Sequence, residues 1–272
     1  ATFTAAIAAI VIDRLRYLVD LADKIAALSL EALLGCPQAF DSRIQAARGM
    51  TGQATSALNV LNFVKGSEFI GSTNRVQDAY SLRCIPQIHG AVRDTLSYCR
   101  GIITKEINAA TDNPLIFGED VLSGGNFHGE PIGFIMDFLK IAMCELGSIS
   151  ERRVFRMTSG ELNGNLPPML VDDFESAGLN SGLMMPQYTA ASLVLENITL
   201  ATPDSIHSLP TSGSQEDHNA NAASASRHAM DILTNLESIL AIELFTAARG
   251  VDLRFKQYPK RKLGKGTQKL YS

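Results

Sequence analysis

Three short polar segments of the chain hold the residues best suited to chemistry. The first is Val76-Gln77-Asp78-Ala79-Tyr80-Ser81-Leu82-Arg83-Cys84, where an amide, a phenol and a guanidinium fall close together. Tyr80 and Arg83 are three apart and share a face in a helical turn. The planar fork of an arginine suits two-point capture of a carboxylate, although the same residues also suit a helix N-terminus with ordinary surface pairs. The second segment is Gly124-Gly125-Asn126-Phe127-His128-Gly129-Glu130-Pro131. Its glycines allow close backbone approach, Phe127 supplies an aromatic wall, and His128 is a possible proton carrier. A tight turn capping a helix that starts at Glu130 accounts for it equally well. The third is Gln215-Glu216-Asp217-His218. Its acids suit the positive end of a helix; as a base, Glu216 would need burial to raise its pKa.

Other chemistries find less support. The five histidines are scattered, with no His-x-x-x-His or Glu-x-x-His pair, so a metal site is not expected. His89 and His228 read as satisfied helix residues. No dinucleotide fingerprint or phosphate-binding glycine loop is present. Ser212 and Ser214 lie near His218, but without the setting of a nucleophile elbow. A net charge of −4 with no long basic run gives no signal for nucleic acid or an anionic membrane. The basic stretch from Lys256 to Lys269 reads as a solvated tail. The four cysteines (Cys36, Cys84, Cys99, Cys144) sit apart among apolar residues, which suits buried, reduced thiols in a cytoplasmic protein.

The elements that must position these segments are long helices. Apolar periodicity and stop signals place helices at about Thr4–Leu34, Gly52–Lys65, Pro86–Thr111, Glu130–Met157, Pro186–Ala201 and Glu216–Arg249, the last stopped by Gly250. The expected fold class is all-α, a bundle of long, roughly parallel and antiparallel rods with long functional loops. The small residues of NANAASASRHA place the last helix at the centre. With 272 residues and 46% hydrophobic content there is enough material for a sizeable core, while a charged fraction of only 19% hints at burial between subunits.

In this order, VQDAYSLRCIPQ, TDNPL, GGNFHGEP, LNSGLM and SQEDH resemble the histidine and aromatic amino-acid ammonia-lyase family. The likeness runs to about Phe255, so residues 1–255 read as one helical core domain and 256–272 as the basic start of a further segment. The resemblance implies a homotetramer whose active sites are each built from three subunits. It also implies elimination of ammonia from an amino acid, helped by an electrophilic 4-methylidene-imidazole-5-one ring made from an Ala-Ser-Gly tripeptide. An ammonium leaves reluctantly and a β-proton is barely acidic, so an electrophile beyond the twenty side chains is needed. No Ala-Ser-Gly occurs here; Thr158-Ser159-Gly160 and Thr211-Ser212-Gly213 are near misses. The expectation is that the tripeptide lies upstream, on a companion N-terminal chain or segment, and that this piece alone is inactive.

By the same resemblance, Arg83 looks like the clamp on the substrate carboxylate, with Gln215 as a second substrate contact. Tyr80 and Gln77 resemble residues that line the ring and orient the amino group, and Phe127 resembles the aromatic residue beside it. Glu216 resembles the acid that histidine-directed members place near the substrate amine or β-carbon. Ser-Gln-Glu-Asp-His and His128-Gly129-Glu130 favour L-histidine, converted to trans-urocanate. A tyrosine or phenylalanine lyase or aminomutase of the same family is the alternative, and a non-catalytic helical oligomerisation fragment the second. All five residues, Gln77, Tyr80, Arg83, Phe127 and Glu216, are expected around a common cavity in the assembled oligomer.

Overall fold

The computed structural model describes residues 2–272. Its helices are α1 (Thr2–Ala32), α2 (Ser42–Arg48), α3 (Thr51–Phe63), α4 (Tyr80–Arg83), α5 (Ile85–Glu106), α6 (Glu130–Thr158), α7 (Met184–Leu200), α8 (Ala222–Gln257) and α9 (Lys265–Tyr271). One two-stranded antiparallel hairpin, β1 (Leu115–Phe117) and β2 (Asp120–Leu122), interrupts them, with Leu115 opposite Leu122. The 29 residues of α6 make a rod on the order of 40 Å long. The all-α expectation holds.

The chain divides into two compact units. Unit 1 holds the residues up to Tyr17, Thr95–Cys144 and Asn197–Thr234; unit 2 holds Leu18–Asp94, Glu145–Glu196 and Asn235–Ser272. In unit 1 the core forms where Ala8, Val11, Ile12 and Leu15 of α1 are buried along with Ile132, Ile135, Met136, Leu139 and Met143 of α6 and Ala225, Ala229, Ile232 and Leu233 of α8. The spacing of three and four residues puts each set on one helical face. In unit 2 one cluster gathers Leu28, Leu30 and Leu33 with Phe40, Phe69, Leu82, Ile85, Met157, Leu166, Leu170 and Val251.

Unit 2 also buries charge. Arg153 and Glu243 are fully buried side chains joined by two contacts, Nε to Oε1 at 2.5 Å and Nη2 to Oε2 at 2.8 Å. Ser29 Oγ donates to Oε1 at 2.6 Å and Ser150 Oγ to Oε2 at 2.5 Å, so every carboxylate lone pair has work. Beside them His89 Nδ1 meets Asp23 Oδ1 at 2.8 Å, while Asp23 Oδ2 accepts from Arg93 and Asn59. Burial pushes the His89 imidazole below its usual pKa against the pull of Asp23. Burial acts to raise Asp23, but His89, Arg93 and Asn59 outweigh it and hold the carboxyl below the ordinary range.

Several boundaries differ from those read in the sequence, for physical reasons. The last helix begins at Ala222, not Glu216, because residues 204–221 are pinned as a loop by side-chain bonds described below. It also runs through Gly250 to Gln257. A Cβ at Gly250 would sit 3.0 Å from Ala32 Cβ, so this glycine lets α8 pass close to α1 instead of stopping it. The basic C-terminal stretch is not a solvated tail: Leu263 and Thr267 are buried, and α9 forms within it. None of the four cysteines is in a disulfide; Cys36 and Cys99 are buried but Cys84 and Cys144 are only half-buried.

The docking of α9 rests on a buried acid. Glu31 is fully buried, its Oε1 accepts the Gly264 N–H at 2.8 Å, and its Oε2 has no hydrogen-bond partner among the described residues. Burial raises its pKa above the usual carboxyl value, partly offset by Ser67, Thr267 and the Gly264 N–H. A raised carboxyl contributes full stability below the unfolded pKa of about 4.3, and that contribution is lost as pH rises through the folded value. At neutral pH, Glu31→Gln is therefore expected to stabilise the fold by on the order of 1 kcal/mol, or a few degrees in melting temperature. The gain should vanish below about pH 4. A lower melting temperature for Glu31→Gln at pH 7 would show that the ionised acid is favoured after all.

Candidate active site

In unit 2 the structure brings Gln77, Tyr80 and Arg83 together. The chain leading to them is tied down at the end of α1. Arg75 Nη2 donates to the Leu33 and Leu34 carbonyls at 2.7 and 2.6 Å, supplying a cation to carbonyls just past the C-terminus of α1. Asp78 is buried, accepts the Cys36 N–H at 2.6 Å and pairs with Arg75 at 3.2 Å. Between these two anchors Gln77 has little freedom, and it lies in the loop before α4 rather than in a helix start. The single turn of α4 then puts Tyr80 and Arg83 on one face, held by the Arg83 N–H to the Ala79 carbonyl at 2.9 Å.

Arg83 Nη1 donates to Gln77 Oε1 at 2.6 Å, and its guanidinium lies 4.9 Å from the centre of the Tyr80 ring. Its Nε is buried with no acceptor among the described residues. A buried guanidinium donor without a partner is costly, and an anion is the natural acceptor. A cleft of about 190 Å³ opens at this point, lined by Cys36, Gln38, Ala39, Gln77, Asp78 and Arg83. Tyr80 is 71% exposed, so its phenol is free to meet a reactant.

Unit 1 carries Phe127, Gln215 and Glu216. The Asn113 side chain accepts the Gly124 N–H at 2.7 Å and the Ser123 hydroxyl at 3.1 Å, and Asn126 Nδ2 donates to the Ala110 carbonyl at 3.2 Å. The TDNPL segment thus braces the loop that presents the half-exposed Phe127 ring. Glu216 sits in a small antiparallel bridge with Thr211, and Thr211 Oγ1 donates to its Oε2 at 3.0 Å. Gln215 lies exposed next to it. Neither is part of a helix start, so the capping explanation of these acids is removed.

The root of the Glu216 loop is a buried ionic knot. Lys140 is fully buried; its Nζ donates to Asp137 at 2.8 Å, to Asp204 at 2.5 Å and to the Thr202 carbonyl at 2.7 Å. Asp137 also accepts the Ser205 N–H and hydroxyl and the Asp204 N–H, and His228 Nδ1 meets Asp204 at 2.9 Å. Burial acts to raise the Asp137 carboxyl, but Lys140, Ser205 and the backbone donors hold it below the ordinary range. Asp137, Lys140 and Asp204 go unnoticed in the sequence reading. Two opposite charges three apart inside the apolar run FIMDFLKIAM are the signal that marks them.

Solved structures of a histidine ammonia-lyase and a tyrosine aminomutase share this architecture. Histidine ammonia-lyase from Trypanosoma cruzi matches with a TM-score of 0.89 at 38% identity, covering 99% of this chain and 50% of that one. Tyrosine aminomutase from Streptomyces globisporus matches with a TM-score of 0.91 at 34% identity, covering 98% of this chain and 54% of the other. The chain belongs to the aromatic amino acid lyase family, whose model matches residues 1–272. Among curated relatives, histidine ammonia-lyase of Caldanaerobacter subterraneus subsp. tengcongensis is 51% identical over 260 residues, covering 93% of this chain and 49% of its own length. Histidine ammonia-lyase of Treponema denticola is 49% identical over 248 residues, covering 90% and 48%. The chain spans about half the length of the curated relatives it matches.

Proposed function

We propose that the protein carrying this chain eliminates ammonia from L-histidine to give trans-urocanate, as a homotetramer. The observation that carries this is the match to histidine ammonia-lyases at about half identity over nine-tenths of the chain. Arg83, with its unpartnered Nε in a small cleft, suits a carboxylate substrate. Fold likeness does not choose the amino acid, since a tyrosine aminomutase superposes as well as a histidine lyase; the higher sequence identity to histidine ammonia-lyases supports histidine.

In this reading Arg83 holds the substrate carboxylate through its fork, with Gln77 fixing the guanidinium plane. Gln215 is a second polar contact to substrate. Glu216 takes and returns a proton near the substrate amine or β-carbon. The exposed Tyr80 phenol and the half-exposed Phe127 ring fit a flat electrophilic ring, and with Gln77 they are the residues of this chain that would line a methylidene-imidazolone. That group, formed from an Ala-Ser-Gly segment outside these residues, would supply the electrophile that activates the substrate.

The direct test is ammonia release and absorbance of the conjugated acid, measured on the full-length protein with L-histidine, L-tyrosine and L-phenylalanine. We expect a preference in kcat/KM for histidine on the order of 10⁴-fold, the scale on which a site built to hydrogen-bond its substrate rejects side chains that leave its polar groups unpaired. Comparable turnover of tyrosine would transfer the assignment to the aromatic branch of the family.

A further inference from the structure

His128 and His218 belong to the two loops that carry Phe127 and Glu216, yet neither is needed for the roles above. In unit 1 their rings stack, with centroids 5.9 Å apart and planes inclined by 10°. The His128 ring is committed at both nitrogens. Nε2 lies 3.1 Å from the His218 carbonyl oxygen, which accepts only, so Nε2 carries the hydrogen. Nδ1 lies 3.3 Å from the Glu130 N–H, which donates only, so Nδ1 carries the lone pair. These two backbone partners suit the tautomer with its hydrogen on Nε2, and the Glu130 carboxylate lies 4.0 Å from Nδ1. The Glu130 N–H is one of the orphan donors at the start of α6, and a lone pair there is the right complement to the positive end of the helix. A residue held at both nitrogens in this way is a poor proton carrier.

The seam beneath this contact is built for close approach. A Cβ added at Gly133, one turn into α6, would meet the Ala220 carbonyl at 3.0 Å and Ser205 Cβ at 3.3 Å. The loop from Asp204 to Asn221 is therefore fixed at its root by Asp137 and Lys140 and pressed on α6 at Ala220. Its middle, where Glu216 lies, is exposed. His128 is the side chain that reaches across to that middle.

We propose that His128 is a positioning residue, an imidazole clasp that fastens the Phe127 loop to the Glu216 loop through the His218 carbonyl and ring. The kinetic part of this rests on the lyase reading; the structural part does not. The test compares His128→Ala with His128→Gln in the full-length protein, since a glutamine amide can still donate to the His218 carbonyl. Hydrogen exchange of the segment 205–221 is expected to quicken about tenfold in His128→Ala and return to within about threefold of wild type in His128→Gln, as for local opening of one loop. With L-histidine, kcat should fall about tenfold in His128→Ala with KM within about twofold, and most of the loss should be recovered in His128→Gln, the split expected when a group acting in the transition state is misplaced. Unchanged exchange in His128→Ala would overturn the clasp. Faster exchange with unchanged kcat would overturn its role in positioning. Loss of kcat that glutamine does not rescue would mean that the imidazole itself does chemistry. Absence of lyase activity in the wild-type protein would refute the proposed function, while the exchange measurement would still decide whether the clasp exists.

Discussion

Replacing Glu243 with alanine is expected to lower stability by about 3–5 kcal/mol, the cost of leaving one member of a buried ion pair alone. Glu243 receives Arg153 through two nitrogens and the hydroxyls of Ser29 and Ser150, all in the interior of unit 2. Its removal strands a fully buried guanidinium and orphans two hydroxyl donors. It also cuts the tie between α1, α6 and α8, since Ser29, Arg153 and Glu243 come one from each. Substituting both partners by apolar side chains of similar volume, Arg153→Met with Glu243→Leu, should recover more than half of the loss, because no charge is then left to desolvate. Breaking the exposed Arg16–Asp13 pair should leave the denaturation midpoint unmoved, since both side chains are about half exposed or more and water replaces the contact. Denaturant midpoints of the three variants, set against wild type, settle the matter. A Glu243→Ala midpoint near that of wild type would mean that Arg153 escapes to solvent or finds another acceptor.

That ion pair also shows where reading the sequence stops. The rods themselves are legible, because α1 and α6 repeat apolar residues every three to four positions over long runs. Arg153 within SERRVFRM looks like one charge among several on a helix surface, and only the packing reveals it to be fully buried. The same limit explains the misplaced start of α8. The acids at Glu216 and Asp217 and the small residues that follow satisfy the local rules for a helix start. What decides the matter is non-local: Asn219 donates to the Leu209 carbonyl, Asn221 to the His207 carbonyl, and Asp137 on α6 holds Asp204 and Ser205. Gly250 is another case. A glycine near an expected helix end has two meanings, stop or close approach, and Ala32 on the neighbouring helix selects the second. The pairing of Tyr80 with Arg83 is legible because one helical turn imposes it, whereas Gln77 reaches Arg83 from the loop before that turn. The means by which that turn is held, Arg75 and Asp78 gripping the end of α1, is not, since it joins residues about 40 apart.

Two substitutions separate the proposed roles of the site residues by their effects on different constants. Glu216→Ala is expected to reduce kcat by about 10²–10⁴-fold, the usual contribution of a positioned acid–base group. In this chain its carboxylate is exposed and bonded through one oxygen to Thr211, which leaves the other oxygen for a reactant; the burial that a base needs would come from neighbouring subunits of the proposed tetramer. Glu216→Gln keeps the size and an acceptor for Thr211 but cannot take up a proton at pH 7. A chemical role therefore requires glutamine to be nearly as damaging as alanine, whereas a role in loop structure would let it restore turnover. Arg83→Lys retains a positive charge but loses the fork and the unpartnered Nε. It should raise KM by about 10- to 100-fold, the value of a hydrogen bond to a charged group, with a smaller change in kcat, because the carboxylate is bound alike in ground and transition states. If Arg83→Lys instead depressed kcat and left KM alone, the guanidinium would be acting on the reacting atoms. The carboxylate would then have to be held by another group, with Gln215 the first to examine.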